Sequence, residues 1–107
     1  MFKPINECKT VYELLEDPER WIKKRRSLDK NNFFVPVEST EACKFCLAGA
    51  VYKIYDRKLR IVIKDRLNAA IEKYNKEFLS KGSVIGFNDD PKTTHQDVLE
   101  VVKMAGV

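Results

Sequence analysis

A chain of 107 residues, 44 % hydrophobic and 34 % charged, has the composition of a folded, well-solvated domain with one modest core rather than that of a disordered chain. Its 20 basic and 16 acidic side chains leave a net charge of +4, and residues 1–53 and 54–107 each carry ten basic and eight acidic groups, which excludes a basic tail. The longest uncharged apolar run, residues 45–52, is far shorter than the ~20 residues a membrane-spanning helix needs.

Met1 is followed by Phe2, Lys3 and Pro4 and then by polar residues, unlike a secretion signal, and the three cysteines are an odd number. The expectation is a single domain over residues 1–107 in the cytoplasm, with reduced thiols and no membrane contact.

Thr10 followed by Glu13 has the form of a capping box and predicts a short helix through Val11, Leu14 and Leu15. Asp17-Pro18 opens a second short helix with Trp21 and Ile22, ending in Lys23-Lys24-Arg25-Arg26, where cations would complement the helix dipole. The segment "FFVPVE" around Pro36 suggests an extended edge piece, because proline cannot donate to an interior ladder. Ser39 or Thr40 is then the expected cap of a helix containing "EACKFCLAGAVYKI". A break near Asp56-Arg57 precedes a long helix over about residues 58–80, with Leu59, Val62, Ile63, Leu67, Ala70, Tyr74 and Phe78 at helical spacing and a stop at Lys81-Gly82. "SVIGF" (83–87) has the pattern of a strand, "NDDPK" (88–92) that of a turn, and Thr94 with Asp97 opens a last helix through Val98, Val101, Val102 and Ala105. The predicted class is α+β and predominantly α-helical, with four to five helices and a small two-stranded β element pairing 33–37 with 84–87.

The helix bearing residues 45–52 is apolar all round, so it belongs at the centre of the fold. Gly49 in its middle costs about 1 kcal/mol relative to alanine and is best explained by another backbone passing close to it. Cys43 and Cys46 then lie one turn apart on a stripe continued by Ala50 and Ile54, and small buried residues are their simplest role. Zinc would need two further ligands, and Cys8 and His95 belong to no second paired motif, so no metal or other cofactor is expected. A redox pair would need the first cysteine at a helix N-terminus behind a strand. Cys46 with His95 and Asn88 or Asp89 would supply the residue types of a Cys–His–Asn nucleophile, which makes these four the candidate catalytic set.

"CLAGA" (46–50) together with "GFNDDPKTTHQDVLEVVKMA" (86–105) resembles a family of small uncharacterised bacterial and phage proteins. Its members carry a Cys-x-x-Gly-Ala helix, then an aromatic-Asn-Asp turn, a threonine and a closing helix that ends near an alanine. The matching positions are Cys46, Gly49, Ala50, Phe87, Asn88, Asp89, Thr94, Val98 and Ala105, with Trp21 upstream. Phe87 stands where the family pattern has tryptophan, and Cys43 is additional. The resemblance implies no activity. Its residues suit architecture, and they equally suit a cluster formed by the turn folding over the cysteine helix.

Lys23, Lys24, Arg25 and Arg26 form one basic cluster, and Arg57, Lys58, Arg60, Lys64 and Arg66 form a second, of which Arg57, Arg60 and Lys64 line one flank of the long helix. No helix-turn-helix, zinc-finger or RNA-binding signature accompanies them, and acidic Asp56, Asp65, Glu72 and Glu77 interrupt the second cluster. Ile61, off the main stripe, and the Phe33-Phe34 pair are candidate exposed anchors for a protein partner or self-association. The leading expectation is a non-enzymatic accessory or interaction protein of phage or bacterial type. The alternatives are a cysteine-dependent enzyme or redox protein using Cys46 or Cys43 with His95, and nucleic-acid binding through the basic clusters.

Overall fold

The computed structural model describes residues 2–74 and 83–107. A 3₁₀ turn at Ile5–Glu7 leads into α1 (Val11–Leu15), and a second at Pro18–Arg20 precedes strands β1 (Ser27–Leu28) and β2 (Lys44–Phe45). Helices α2 (Leu47–Ile54), α3 (Arg57–Tyr74), α4 (Val84–Asp89) and α5 (His95–Ala105) follow. The architecture is α+β and mostly helical, with one antiparallel pair in which Ser27 faces Phe45 and Leu28 faces Lys44.

Local chemistry sets the helix ends. Thr10 Oγ1 accepts the Glu13 N–H at 3.0 Å, but the Glu13 carboxylate takes the Lys9 N–H instead of that of the cap, so half of the predicted box forms. At Thr94 and Asp97 both halves are present. The break between α2 and α3 falls at Tyr55 and Asp56, and Asp56 Oδ1 accepts the Leu59 N–H in the first turn of α3. Gly106, at φ +71°, closes α5 in the left-handed conformation that glycine tolerates.

Residues 47–51 of α2 are all buried, with α1, α3 and α4 packed around them, while α5 covers α1 and α3. Val11, Leu14, Leu67, Ile71, Val98 and Val102 are fully enclosed around this column. Gly49 has the close neighbour its position implies: a Cβ there would lie 2.0 Å from the Arg26 carbonyl oxygen.

Several expectations are corrected. The strand predicted at 83–87 is helix α4, because Ser83 Oγ accepts the Gly86 N–H and Val84, Phe87 and Asn88 bury one helical face. A five-residue apolar run fits either period, and the packing of this face against α2 and α3, with the Ser83 cap, decides. The 33–37 segment contributes one isolated bridge, Leu28 to Phe34, and the sheet forms between β1 and β2 instead.

The central helix begins at Cys46, not at Ser39 or Thr40. Ser39 organises a turn, accepting the Glu41 N–H on its hydroxyl and the Ala42 N–H on its carbonyl. Cys43 then donates its backbone N–H to Leu28, and residues 44–45 pair as a strand. Cys43 and Cys46 therefore share no helical stripe.

Residues 23–26 do not end a helix either, since the 3₁₀ turn stops at Arg20 and the Ile22 N–H bonds to the Phe45 carbonyl in extended backbone. On α3 the buried residues are Ile63, Leu67, Ala70 and Ile71, whereas Leu59 and Val62 face outward with Ile61. Phe78 and the Lys81-Gly82 stop lie outside the described residues.

Candidate functional site

Asn88, fully buried near the end of α4, organises the region around α2. Its Oδ1 accepts the Trp21 indole N–H at 2.6 Å and the Leu47 backbone N–H at 2.9 Å. Its Nδ2 donates to the Ile22 carbonyl at 3.1 Å and to Asp89 Oδ1 at 2.9 Å. A carboxamide offers two acceptor and two donor positions, and all four are used. One partner, the Leu47 N–H, belongs to the first turn of α2, where no intrahelical acceptor exists.

Asp89 Oδ1 also accepts the Lys24 N–H at 2.8 Å, holding Lys24 in a left-handed conformation at φ 69°. Cys46 is the N-cap of α2: its Sγ accepts the Gly49 N–H at 3.3 Å, and its own N–H reaches the Arg26 carbonyl. Burial pushes the Cys46 thiol up from its ordinary range, and the opposing amide bonds from Gly49 and Ala48 do not offset it. Cys46 and Asp89 share a hollow of about 160 Å³ with Lys24, Arg25 and Arg26.

His95 is engaged elsewhere. Its Nε2 donates to the Leu15 carbonyl at 2.6 Å, and its ring lies 5.9 Å from that of Trp21. Of the four candidate catalytic residues, the structure gathers Cys46, Asn88 and Asp89 and ties His95 to α1, with Trp21 between His95 and Asn88. Cys43 lines a separate cleft with Arg20 and Lys53. Among the described residues no three His, Cys, Asp or Glu side chains gather at metal-binding distance.

The two basic clusters meet at Tyr52 on α2. Arg26, Arg60 and Lys64 lie 4.6, 4.5 and 4.7 Å from the centre of its ring. Arg60 also donates to the Tyr55 and Tyr52 carbonyls at 2.9 and 3.0 Å, closing the C-terminal end of α2. Lys64 Nζ donates to Tyr52 Oη at 3.2 Å, and this bond, reinforced by the charges of Lys64, Arg26 and Arg60, lowers the phenol's pKa. The ion pairs among the described residues are Lys3–Glu13 and Arg20–Asp17, so none of the three cations is ion-paired there, although the Asp89 carboxylate lines the same small hollow as Arg26.

The rest of the predicted patch divides. Lys24 and Arg25 join Arg26 at the small hollow, whereas Lys23 bonds the Asp90 carbonyl and lies over Trp21. Arg57 stands one turn before Arg60 on α3 and is exposed. Sequence reasoning missed Tyr52, which it counted as the end of an apolar run. The shared flank of Arg60 and Lys64 was legible from their spacing, but the ring comes from another helix. It also missed Asn68, whose buried Oδ1 has no hydrogen-bond partner among the described residues.

Neither a curated protein nor a solved structure matches this chain. One family model does, over residues 7–106, a span that takes in Trp21, both basic clusters, the α2 cap and the Asn88 linkage. The chain therefore belongs to the family of unknown function DUF6197.

Proposed function

We propose that this is a non-enzymatic interaction protein of phage or bacterial type, working in the cytoplasm, whose binding surface is the cationic face at Tyr52 and whose partner is nucleic acid. One observation carries this reading: Arg26, Arg60 and Lys64, from two distant parts of the chain, converge on one ring and none of them forms an ion pair among the described residues. Like charges held together repel, and a polyanion relieves that repulsion while releasing its own counterions. The residues of the Cys-x-x-Gly-Ala and aromatic-Asn-Asp pattern, by contrast, are engaged in architecture. Asn88 fills its four bonds, Cys46 and Thr94 cap helices, and Gly49 admits the Arg26 carbonyl.

The test is retention on immobilised DNA and RNA, comparing the wild type with the double variant Arg26→Glu/Lys64→Glu. Retention that the double variant loses supports the reading. Equal displacement by polyglutamate and by nucleic acid would replace nucleic acid with an acidic protein surface.

A second reading, a protein partner or self-association, has its own support in Phe33 and Phe34, each 68 % exposed. Their loop is preorganised, because Asp29 Oδ1 accepts the N–H groups of Asn31 and Phe33. A loop whose backbone is already held loses less entropy when a partner buries its aromatic side chains. Sedimentation of the wild type against Phe33→Ser/Phe34→Ser separates self-association from a monomer.

A further inference from the structure

We infer that the groove beside Tyr52 takes single-stranded rather than duplex nucleic acid, with one unstacked nucleotide seated in the cleft between α2, α3 and α4; the inference rests on the nucleic-acid reading of the cationic face. That cleft has a volume of about 340 Å³. Its apolar lining comes from Ala48, Val84 and Ile85, and its cations are Arg26 and Lys64, two of the three at the Tyr52 ring. Arg26, Ala48 and Ile85 also line the smaller hollow that holds Lys24 and Arg25. The two concavities thus share a wall and form one track carrying Lys24, Arg25, Arg26 and Lys64, with one carboxylate, Asp89, whose Oδ1 is occupied by the Lys24 and Asn88 N–H groups.

Shape and chemistry select the ligand. A duplex is convex and turns its bases inward, so it meets rim cations but cannot insert a base into a recess. A single strand has unstacked bases whose faces pack on apolar surface while the phosphates follow the cations. Ile85 is 56 % exposed and contributes to both concavities, which suits the face of a base. Asn68 lies in the wall of the larger cleft, and its buried carboxamide oxygen lacks a donor among the described residues. The exocyclic amino group of cytosine or adenine is such a donor, whereas thymine has no amino group and offers only its ring N3–H.

The experiment is fluorescence anisotropy with labelled oligo(dC) and oligo(dT) of about eight nucleotides and a blunt hairpin duplex. Wild type is compared with Asn68→Leu and Ile85→Ala, each checked for a cooperative melt. The expected result is oligo(dC) bound roughly tenfold more tightly than the hairpin, the gap a single stacked base supplies. Oligo(dT) falls between, and Asn68→Leu weakens oligo(dC) while leaving the hairpin unchanged. Ile85→Ala, at an exposed position, narrows the gap between strand and hairpin and provides the readout if Asn68→Leu does not fold. Equal affinity for strand and hairpin, or variants that leave the oligo(dC) affinity unaltered, overturns the inference and leaves the Tyr52 reading standing. No salt-sensitive binding to any probe overturns that reading, and this inference with it.

Discussion

Trp21 donates its indole N–H to the Asn88 side-chain oxygen at 2.6 Å, joining residues 67 positions apart. Because the same oxygen accepts the Leu47 N–H and the same amide bonds Ile22, one side chain fixes α4, the start of α2 and the entry to the basic run. Asn88→Ala leaves the Trp21 and Leu47 donors and the Ile22 acceptor without their partner. At about 1–3 kcal/mol for each buried unsatisfied group, with water recovering part of it, the expected loss is about 3–5 kcal/mol. Urea unfolding measures it, and a loss below about 1 kcal/mol would show that the bonds are incidental.

Gly49→Ala sets two effects against each other. Helix propensity alone favours alanine by about 1 kcal/mol. The new methyl, however, would sit 2.0 Å from a backbone oxygen, so residues 26 and 49 must move apart in the core. Overpacking of this kind typically costs about 1–3 kcal/mol, so net destabilisation is expected. A variant more stable than wild type in thermal melts would contradict the close approach.

Much of this was legible in the sequence, and the reasons are local. The Thr10 and Thr94 caps, the α2–α3 break and the enclosed column around Gly49 each depend on a few neighbouring residues. The failures depended on distant ones. "SVIGF" became a helix because its buried face meets α2 and α3, and "EACKF" became a turn and strand because Leu28 and Ser27 supply the partners. Asn88 and Asp89 stood out as a pair, but nothing near them in the chain announces Trp21 or Lys24. Tyr52 went unseen for the same reason, since its three cations come from residue 26 and from a different helix.

Tyr74 and Asp97 predict an acid limb and an alkaline limb in stability. Tyr74 Oη donates to Asp97 Oδ1 at 2.6 Å, and this bond with burial pushes the phenol up to about 12 from 10.0. Its folded value is raised, so its contribution is full below pH 10.0 and fades as pH rises toward about 12. Burial alone would raise the Asp97 carboxyl, but the bonds from Tyr74 and Thr94 outweigh it and hold it below 3.8. That contribution is present above pH 3.8 and lost as pH falls further. Tyr74→Phe is expected to cost about 1 kcal/mol at neutral pH and to flatten both limbs. Identical pH profiles for variant and wild type would contradict the coupling.

The Cys46 thiol should react slowly in the native protein. It is 8 % exposed and its pKa is raised, so little thiolate is present near neutral pH and access is poor. Half-buried Cys43 is expected to label well before it. Cys46→Ser preserves an N-cap acceptor and should retain most of the stability. Rapid, selective alkylation of Cys46, followed by mass spectrometry, would favour the cysteine-dependent alternative.

The three cations at Tyr52 also differ in structural weight. Arg60 satisfies two carbonyls at the end of α2, so Arg60→Ala is expected to lower stability by about 1–2 kcal/mol as well as weaken binding. Arg26 makes no such bonds among the described residues, and Arg26→Ala should weaken binding with stability within about 0.5 kcal/mol of wild type. Equal destabilisation by both changes, seen in parallel urea titrations, would show that the face is held together differently.

The most direct measurement of the central claim is the salt dependence of single-strand affinity. If Arg26, Arg60 and Lys64 each neutralise one phosphate, log K against log salt should fall with a slope of about −2, and Arg26→Ala should reduce its magnitude by about 0.7. An affinity unmoved by salt, or absent at low ionic strength, would contradict the assignment of this face to phosphate binding.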